Sequence, residues 1–421
     1  MALHIVTGGA GAGKTYYMYE KILRQSVEEN HRDYLIIVPE QFTMQTQKDI
    51  VMMSKAKGIM NIDVLSFMRL AYRVLEKTPA LSKPVLEDEG KGMIIRRILK
   101  EHQEEWTTFG GNIKRPGFVE EIKSIITEFL QYRVDDRMLD NLGENISERP
   151  MLSHKLNDLQ LVYKYYKEYM EERYISAEEL LELLVKYSEE SELLRDSIVC
   201  IDGFTGLTPV QYVFLGKLLN VCKEVYITVT IEDDIPLVGK SEPFELFHMS
   251  KNYIDKICRA ADDNGVEIVI ERISETNNTT DNLPDTQSET GEEISGANKK
   301  RFVPHRFINN PVLAKLQKNI FRVATKYDTC EISGNAAADC SCAENPDDYP
   351  ISVYEASNPY EEAEYIAWQI RNLVKDKGLR YRDIAVVSGD VSLYGQLLEQ
   401  EFERADIPAF IDNTKSVISN S

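Results

Sequence analysis

The apolar pattern opens with a short run at residues 3–7 that breaks into the glycines of "GGAGAGKT", and "KTYYMYEKILRQSVEE" continues with apolar positions at helical spacing. This predicts strand, loop, helix. "DYLIIVP" at 33–39 is a second β-rich run, a helical pattern extends from about Thr43 to Met53, and "IDVLSFMRLAYRVLE" joins a short strand to another helix. A parallel α/β sheet is the economical reading. Between about 85 and 195 the pattern changes to long amphipathic helices such as "EGKGMIIRRILKEH" and "GFVEEIKSIITEFLQY", which predicts an all-helical insertion. Strands resume with "SIVCIDGF" at 197–204 and "EVYITVTI" at 224–231, separated by the helical "TPVQYVFLGKLLNV", so the chain returns to its first sheet.

Residues 274–300 are polar and poor in aromatics, the composition of a disordered loop, and 328–350 read as a linker. Beyond it, "ISVYEA", the helix "EEAEYIAWQIRNLVKDKG" and the strand "DIAVVSG" begin another α/β unit. The expected division is therefore 1–84 and 196–327 as one sheet domain, 85–195 as the insertion, and 351–421 as the start of a second domain in a fragment of a longer protein.

Composition narrows the classes. A chain of 421 residues with 43% hydrophobic and 28% charged residues is a multidomain globular protein. No stretch approaches the ~20 consecutive apolar residues of a membrane helix, and the N-terminus lacks the pattern of a secretory signal, which predicts a cytoplasmic protein without membrane contact. The six cysteines form no CxxC pair, and Cys200 and Cys222 sit in apolar runs as core residues do. Cys340 and Cys342 share a polar segment where metal binding is conceivable, though further ligands are missing nearby. A net charge of −20 works against simple attraction to nucleic acid, so contact with DNA would use local patches. The aromatic "VYKYYKEYM" offers either stacking surfaces for bases or packing in a helical core.

Gly8, Gly13, Lys14 and Thr15 fit G-x-x-x-x-G-K-[ST], with the strand before and helix after that a phosphate-binding loop requires. Residues Gly8, Gly9, Ala10, Gly11, Ala12 and Gly13 would turn backbone N–H groups toward phosphate oxygens. Lys14 would neutralise the β and γ phosphates and Thr15 would hold Mg²⁺. A motor of this kind also needs a carboxylate on a neighbouring strand for Mg²⁺, and Asp202, closing "SIVCID", is the candidate. The residue after it is Gly203, which can polarise no water.

The motifs "GGAGAGKT", "VPEQFTMQTQ", "VLSFMRLAYRVL", "IDGFTGLTPVQ" and "YRDIAVVSGD" with "IPAFID" occur in an order that resembles the B subunit of bacterial AddAB-type helicase-nucleases, of the UvrD-like superfamily 1 helicase fold. The resemblance implies an ATP- and Mg²⁺-binding subunit of a heterodimer whose A subunit is the unwinding motor. That complex resects double-stranded DNA ends for homologous recombination, and the B subunit scans the emerging single strand for the Chi hotspot. It further implies a 5′-to-3′ exonuclease domain and a 4Fe-4S cluster beyond residue 421, so none of these cysteines is assigned to a cluster.

Departures from working relatives are specific. Gly203 stands where the catalytic glutamate would be, Thr205 replaces a glutamine, and Gly206 a second aspartate. "VYITVTIEDD" lacks the Gly-Asp-x-x-Gln turn, and Gly389 falls where motors commonly carry a phosphate-stabilising arginine. This predicts nucleotide binding without efficient translocation. The rivals are an active ATPase using Glu232 or Glu40, and a structural subunit with a vestigial loop. By position, Gln41, Thr43, Ser66, Phe67 and Arg69 are candidates for DNA contact, with Phe42, Gln45 and Gln47 beside them; solvated or core roles are the alternative.

Overall fold

A computed structural model describes residues 2–273, 305–307, 310–320 and 351–411, apart from 56, 77, 82, 116, 146–148, 172, 233 and 234. The chain forms two compact units, Met1–Val323 and Ala324–Ser421. The expected loop at 274–300, the linker at 328–350 and Cys330, Cys340 and Cys342 lie outside the described residues.

In the first unit the elements run β1 (Ala2–Gly8), α1 (Lys14–Glu28), β2 (Tyr34–Ile37), α2 (Thr43–Met53), β3 (Ile62–Leu65), α3 (Phe67–Leu75), α4 (Asp88–Glu101), α5 (Phe118–Gln131) and α6 (Asp136–Asn145). They continue with α7 (Pro150–Glu171), α8 (Ala177–Tyr187), β4 (Ile198–Ile201), α9 (Pro209–Val221), β5 (Glu224–Thr230), α10 (His248–Asp263), β6 (Glu267–Arg272) and α11 (Pro311–Asn319). The sheet order is β3-β2-β4-β5-β1-β6, with every pair parallel. This is the expected α/β architecture.

A parallel sheet covered on both faces needs apolar residues of both parities, and the strands supply them. Leu3, Ile5, Leu35, Ile37, Val199, Ile201, Val225 and Ile227 face α3, α8, α9 and α10. Val6, Tyr34, Ile36, Ile198, Cys200 and Tyr226 face α1 and α2. Cys200 and Cys222 are both fully buried, in keeping with their apolar runs.

The helices α4, α5, α6 and α7 enclose a core of their own around Ile95, Leu99, Ile126, Val162 and Tyr166. Helix α8 belongs with the sheet instead, since Leu180 and Leu184 join its core. Of the tyrosines in "VYKYYKEYM", Tyr163 and Tyr166 are buried, whereas Tyr165 stacks on His102 with centroids 3.9 Å apart. Chain entry and exit for this block lie side by side: Leu86 N–H donates to Ile175 O, and Ile175 N–H to Pro84 O. Across the same neck the buried Lys91 ammonium donates to Glu178 at 3.2 Å and to Thr127 Oγ1 at 3.1 Å.

In the second unit α12 (Pro359–Asp376) packs on α13 (Val391–Arg404) through Ala363, Ala367, Ile370, Leu398 and Phe402. The strand expected at 383–389 does not form, and 351–356 is likewise irregular. A strand is held by its ladder, and among the described residues neither segment has a strand beside it; Val353 and Val387 are more than nine-tenths exposed. The sequence pattern reports β propensity but not the neighbour that satisfies it.

Candidate functional site

The nucleotide-binding candidates on the first sheet lie at its carboxyl edge, where open parallel sheets place their binding crevices. The loop after β1 turns at Gly11, with φ +74°, and at Gly13, with φ +98°, before α1 starts at Lys14. A β-carbon at Gly13 would meet nothing within 4 Å, so backbone conformation and not space demands glycine there. Gly13 also brings no side-chain cap to α1, leaving the helix N-terminus with its partial positive charge facing the loop. Gly8 is tighter: a β-carbon would lie 3.3 Å from that of Ala12. Lys14 folds back over the loop and donates to Gly8 O and Gly9 O, each at 2.9 Å.

The sequence separates Thr15 and Asp202 by 187 positions, and the sheet brings them together. Thr15 Oγ1 donates to Asp202 Oδ1 at 3.3 Å. That oxygen also accepts from Thr228 Oγ1, one position beyond the residue of β5 that pairs with Ile201. Asp202 Oδ2 accepts from the Tyr19 hydroxyl at 3.0 Å. Asp202 is only 5% exposed, so each of these bonds offsets the cost of a buried carboxylate. Burial, and next the Asp202 charge, push the Tyr19 phenol well above its ordinary range and keep it a donor.

These residues suit a magnesium nucleotide. Two oxygens 3.3 Å apart are close to the ~3 Å that separates neighbouring ligands around octahedral Mg²⁺. Mg²⁺ keeps several waters and takes phosphate oxygens beside one or two protein ligands, so a Thr–Asp pair is enough protein for it.

Sequence reading missed Tyr19, Arg306 and Gln317. Arg306 lies so near the loop that a β-carbon on Gly11 would be 1.9 Å from its Nε. Gln317 of α11 donates through Nε2 at 2.8 Å to Glu232, just past β5, whose Cγ is 3.7 Å from where a Gly9 β-carbon would lie. Tyr19 left a usable signal, because it follows Thr15 by four residues and so shares its helix face. Arg306 and Gln317 follow a long polar stretch with no periodicity to place them.

The backbone at Gly203 bears on the glutamate expected at that position of a working motor. Gly203 has φ +80°, a conformation that side-chain-bearing residues avoid, and a β-carbon there would lie 3.5 Å from Pro39 Cδ. In the second unit a β-carbon on Gly389 would meet nothing within 4 Å.

The candidates for DNA contact divide by exposure. Gln41, Phe42, Gln45, Gln47 and Arg69 are exposed, with Arg69 Nε 2.9 Å from Glu40 Oε1. Thr43, Ser66 and Phe67 are turned inward. The Thr43 hydroxyl donates to Glu40 O at 2.9 Å. Ser66 Oγ caps α3 by accepting from Arg69 N–H at 3.3 Å. Phe67 packs edge-on against Phe204 and Phe214. These three shape the loops, and the exposed set is what a strand could reach.

The family model described as "ADDB, N-terminal" matches residues 5–288, which takes in the helical block and all of the sheet but the first three residues of β1. The chain belongs to the AddB family. It is similar over its full length to proteins named as the B subunit of an "ATP-dependent helicase/deoxyribonuclease": 38% identical to that of Lachnoclostridium phytofermentans, 31% to that of Caldanaerobacter subterraneus subsp. tengcongensis and 30% to that of Alkaliphilus oremlandii. The chain covers 33%, 32% and 33% of those AddB relatives, about a third of their length. Among the described residues no helix is long and apolar enough to cross a membrane.

Proposed function

We propose that this chain is the nucleotide-binding, helicase-like part of the B subunit of a cytoplasmic ATP-dependent helicase-nuclease, and that it holds ATP and Mg²⁺ without turning them over at a motor's rate. The observation that carries this reading is the pairing of Thr15 with Asp202 beside a Gly203 whose backbone is unsuited to a catalytic side chain. Bound Mg²⁺ would supply charge neutralisation to the phosphates. The loop's N–H groups and Lys14 would hold those phosphates, and Tyr19 and Thr228 would hold the Asp202 carboxylate in place.

On this reading the partner A subunit drives unwinding from double-stranded ends, and the carboxyl edge of this sheet meets the emerging single strand as it is scanned for Chi. The exposed Gln41, in the turn after β2, and Arg69, in the first turn of α3, are the contacts this reading assigns to the strand. The Arg69–Glu40 pair is exposed on both sides and so is weak enough to open for a phosphate. Exonuclease and iron-sulfur chemistry are assigned to none of the described residues.

The test is ATP binding and turnover by the full-length subunit paired with an A subunit whose motor is inactivated, comparing wild type with Lys14→Ala. Binding without appreciable turnover, lost on substitution, is the expected result. Rapid DNA-stimulated turnover that depends on Lys14 would overturn it. A second reading, an active ATPase, has one observation in its favour, the approach of Glu232 to Gly9. Loss of such turnover in Glu232→Gln would establish it, while failure of the wild type to bind nucleotide would leave a vestigial loop.

A further inference from the structure

The Tyr19 hydroxyl belongs to two networks at once. It donates to Asp202 Oδ2 at 3.0 Å, and it lies 3.5 Å from Thr46 Oγ1 on α2. A phenol has one proton, and the nearer, charged carboxylate takes it; the 3.5 Å approach of Thr46 is a longer polar contact between two hydroxyls. The result is a run of polar contacts from α2 through Tyr19 of α1 to Asp202, the residue after β4. All three side chains are buried, with Tyr19 3%, Thr46 6% and Asp202 5% exposed, so water cannot substitute for any link.

What stands at each end gives this chain a use. Asp202 is the carboxylate paired with Thr15 of the phosphate loop. Helix α2 begins at Thr43, directly after the turn Glu40–Phe42 that presents the exposed Gln41. Thr46 is one helical turn from Thr43, whose hydroxyl holds the carbonyl of Glu40. Oδ1 of Asp202 is shared by Thr15 and Thr228, while Oδ2 is bonded to Tyr19, so a cation held by Thr15 and Asp202 draws on the first oxygen and leaves the Tyr19 bond to fix the carboxylate plane.

We propose that Tyr19 is a positioning residue that ties the Asp202 carboxylate to α2, so that magnesium-nucleotide in the phosphate loop and single-stranded DNA at the 40–42 turn bind with coupled affinities. This rests on the nucleotide-binding reading above. The coupling is reciprocal: whatever factor the nucleotide imposes on strand affinity, the strand imposes on nucleotide affinity. Tyr19→Phe keeps the ring in the core and removes only the bridge.

The experiment uses the full-length subunit in its complex with the A subunit. Affinity for a non-hydrolysable ATP analogue is measured with Mg²⁺ and with EDTA, and affinity for a fluorescent single-stranded oligonucleotide is measured with and without the magnesium analogue. Wild type, Tyr19→Phe, Thr46→Val, Asp202→Asn and the Tyr19→Phe/Asp202→Asn double variant are compared. In the wild type the magnesium analogue is expected to change strand affinity about tenfold, within the usual range for coupled sites. Tyr19→Phe should reduce the gain from Mg²⁺ about fivefold and bring the strand effect below about twofold. It should add nothing once Asp202 is Asn. Thr46→Val should lose the strand effect while keeping the Mg²⁺ gain.

Full Mg²⁺ dependence and coupling in Tyr19→Phe, or an undiminished effect of Tyr19→Phe in the Asp202→Asn background, would overturn the proposal alone. A wild type that binds nucleotide without altering strand affinity would do the same. Absence of nucleotide binding in the wild type would overturn the reading beneath it.

Discussion

Gly11 and Arg306 approach so closely that a methyl group on the glycine would sit 1.9 Å from the arginine Nε and 2.6 Å from Cζ. The guanidinium therefore rests on the loop proposed to receive phosphate. Arg306→Ala should weaken ATP-analogue binding about tenfold, the scale of one charge-assisted hydrogen bond, with the unfolding temperature unchanged because Arg306 is exposed. Equilibrium titration of the variant checks this, and an unaltered affinity would mean that the side chain only leans on the loop.

Placing a glutamate at position 203 should not produce a motor. Gly203 has φ +80°, and a side chain there costs ~1–2 kcal/mol. Gly203→Glu should lower stability in chemical denaturation and gain no ATP turnover, whereas Gly203→Asn, which tolerates this backbone better, should lie between. Motor-like turnover in Gly203→Glu would show that one missing carboxylate was the whole defect.

Acid should loosen the sheet edge at β6. Burial raises the Glu271 pKa, but bonds from His4, Lys21 and Tyr17 outweigh it and hold the carboxyl at about 2, against an ordinary 4.5. Lys21 Nζ donates to it at 2.9 Å and the Tyr17 hydroxyl at 2.7 Å. A lowered folded-state pKa means stability that is complete above the unfolded value and lost as pH falls from about 4.5 toward 2. Comparing wild type with Glu271→Gln by denaturant unfolding at about pH 7, 4 and 3 should show a difference that shrinks with acidification.

Cys200 and Cys222 should resist alkylation at neutral pH until the chain unfolds. Burial drives the Cys200 thiol well above its ordinary value and pushes Cys222 up to about 12, so neither offers thiolate. Mass-spectrometric mapping after brief iodoacetamide treatment, with and without denaturant, checks it.

Loop shape and strand contact should separate by mutation. Ser66→Ala removes the cap of α3 and should cost ~1 kcal/mol of stability. Arg69→Ala should leave stability within a few tenths of a kcal/mol, since its ion pair is exposed, and lower the affinity of the complex for single-stranded DNA. Equal strand affinities in wild type and Arg69→Ala would remove Arg69 from the proposed surface.

Much of the fold was readable from residue order. The apolar runs in "DYLIIVP" and "SIVCID" carry the two-faced burial of β2 and β4, and the glycines before Lys14 carry the loop. Position within the motif could not tell that Thr43 and Ser66 spend their hydroxyls on Glu40 O and on the amide of Arg69. Short polar side chains are chosen for local capping as often as for ligands, and only burial separates the uses. The segment 383–389 is not a strand among the described residues because β propensity needs a ladder to act on. Arg306 and Tyr19 were overlooked because their partners are distant in sequence, and the fold alone unites them.

The neck between Pro84–Leu86 and Ile175 has one more consequence. The chain goes out to the helical block and comes back through a single doorway, so the block is a cassette tied on by that neck and by the buried Lys91–Glu178 pair. Bridging Leu86 to Ile175 with a short turn, with Glu178 replaced because its buried partner leaves with the block, should keep the order of the six strands. A cassette of that kind can be enlarged, trimmed or traded over evolutionary time while the nucleotide edge keeps its geometry, which makes this doorway the natural place to graft a replacement head onto the scaffold.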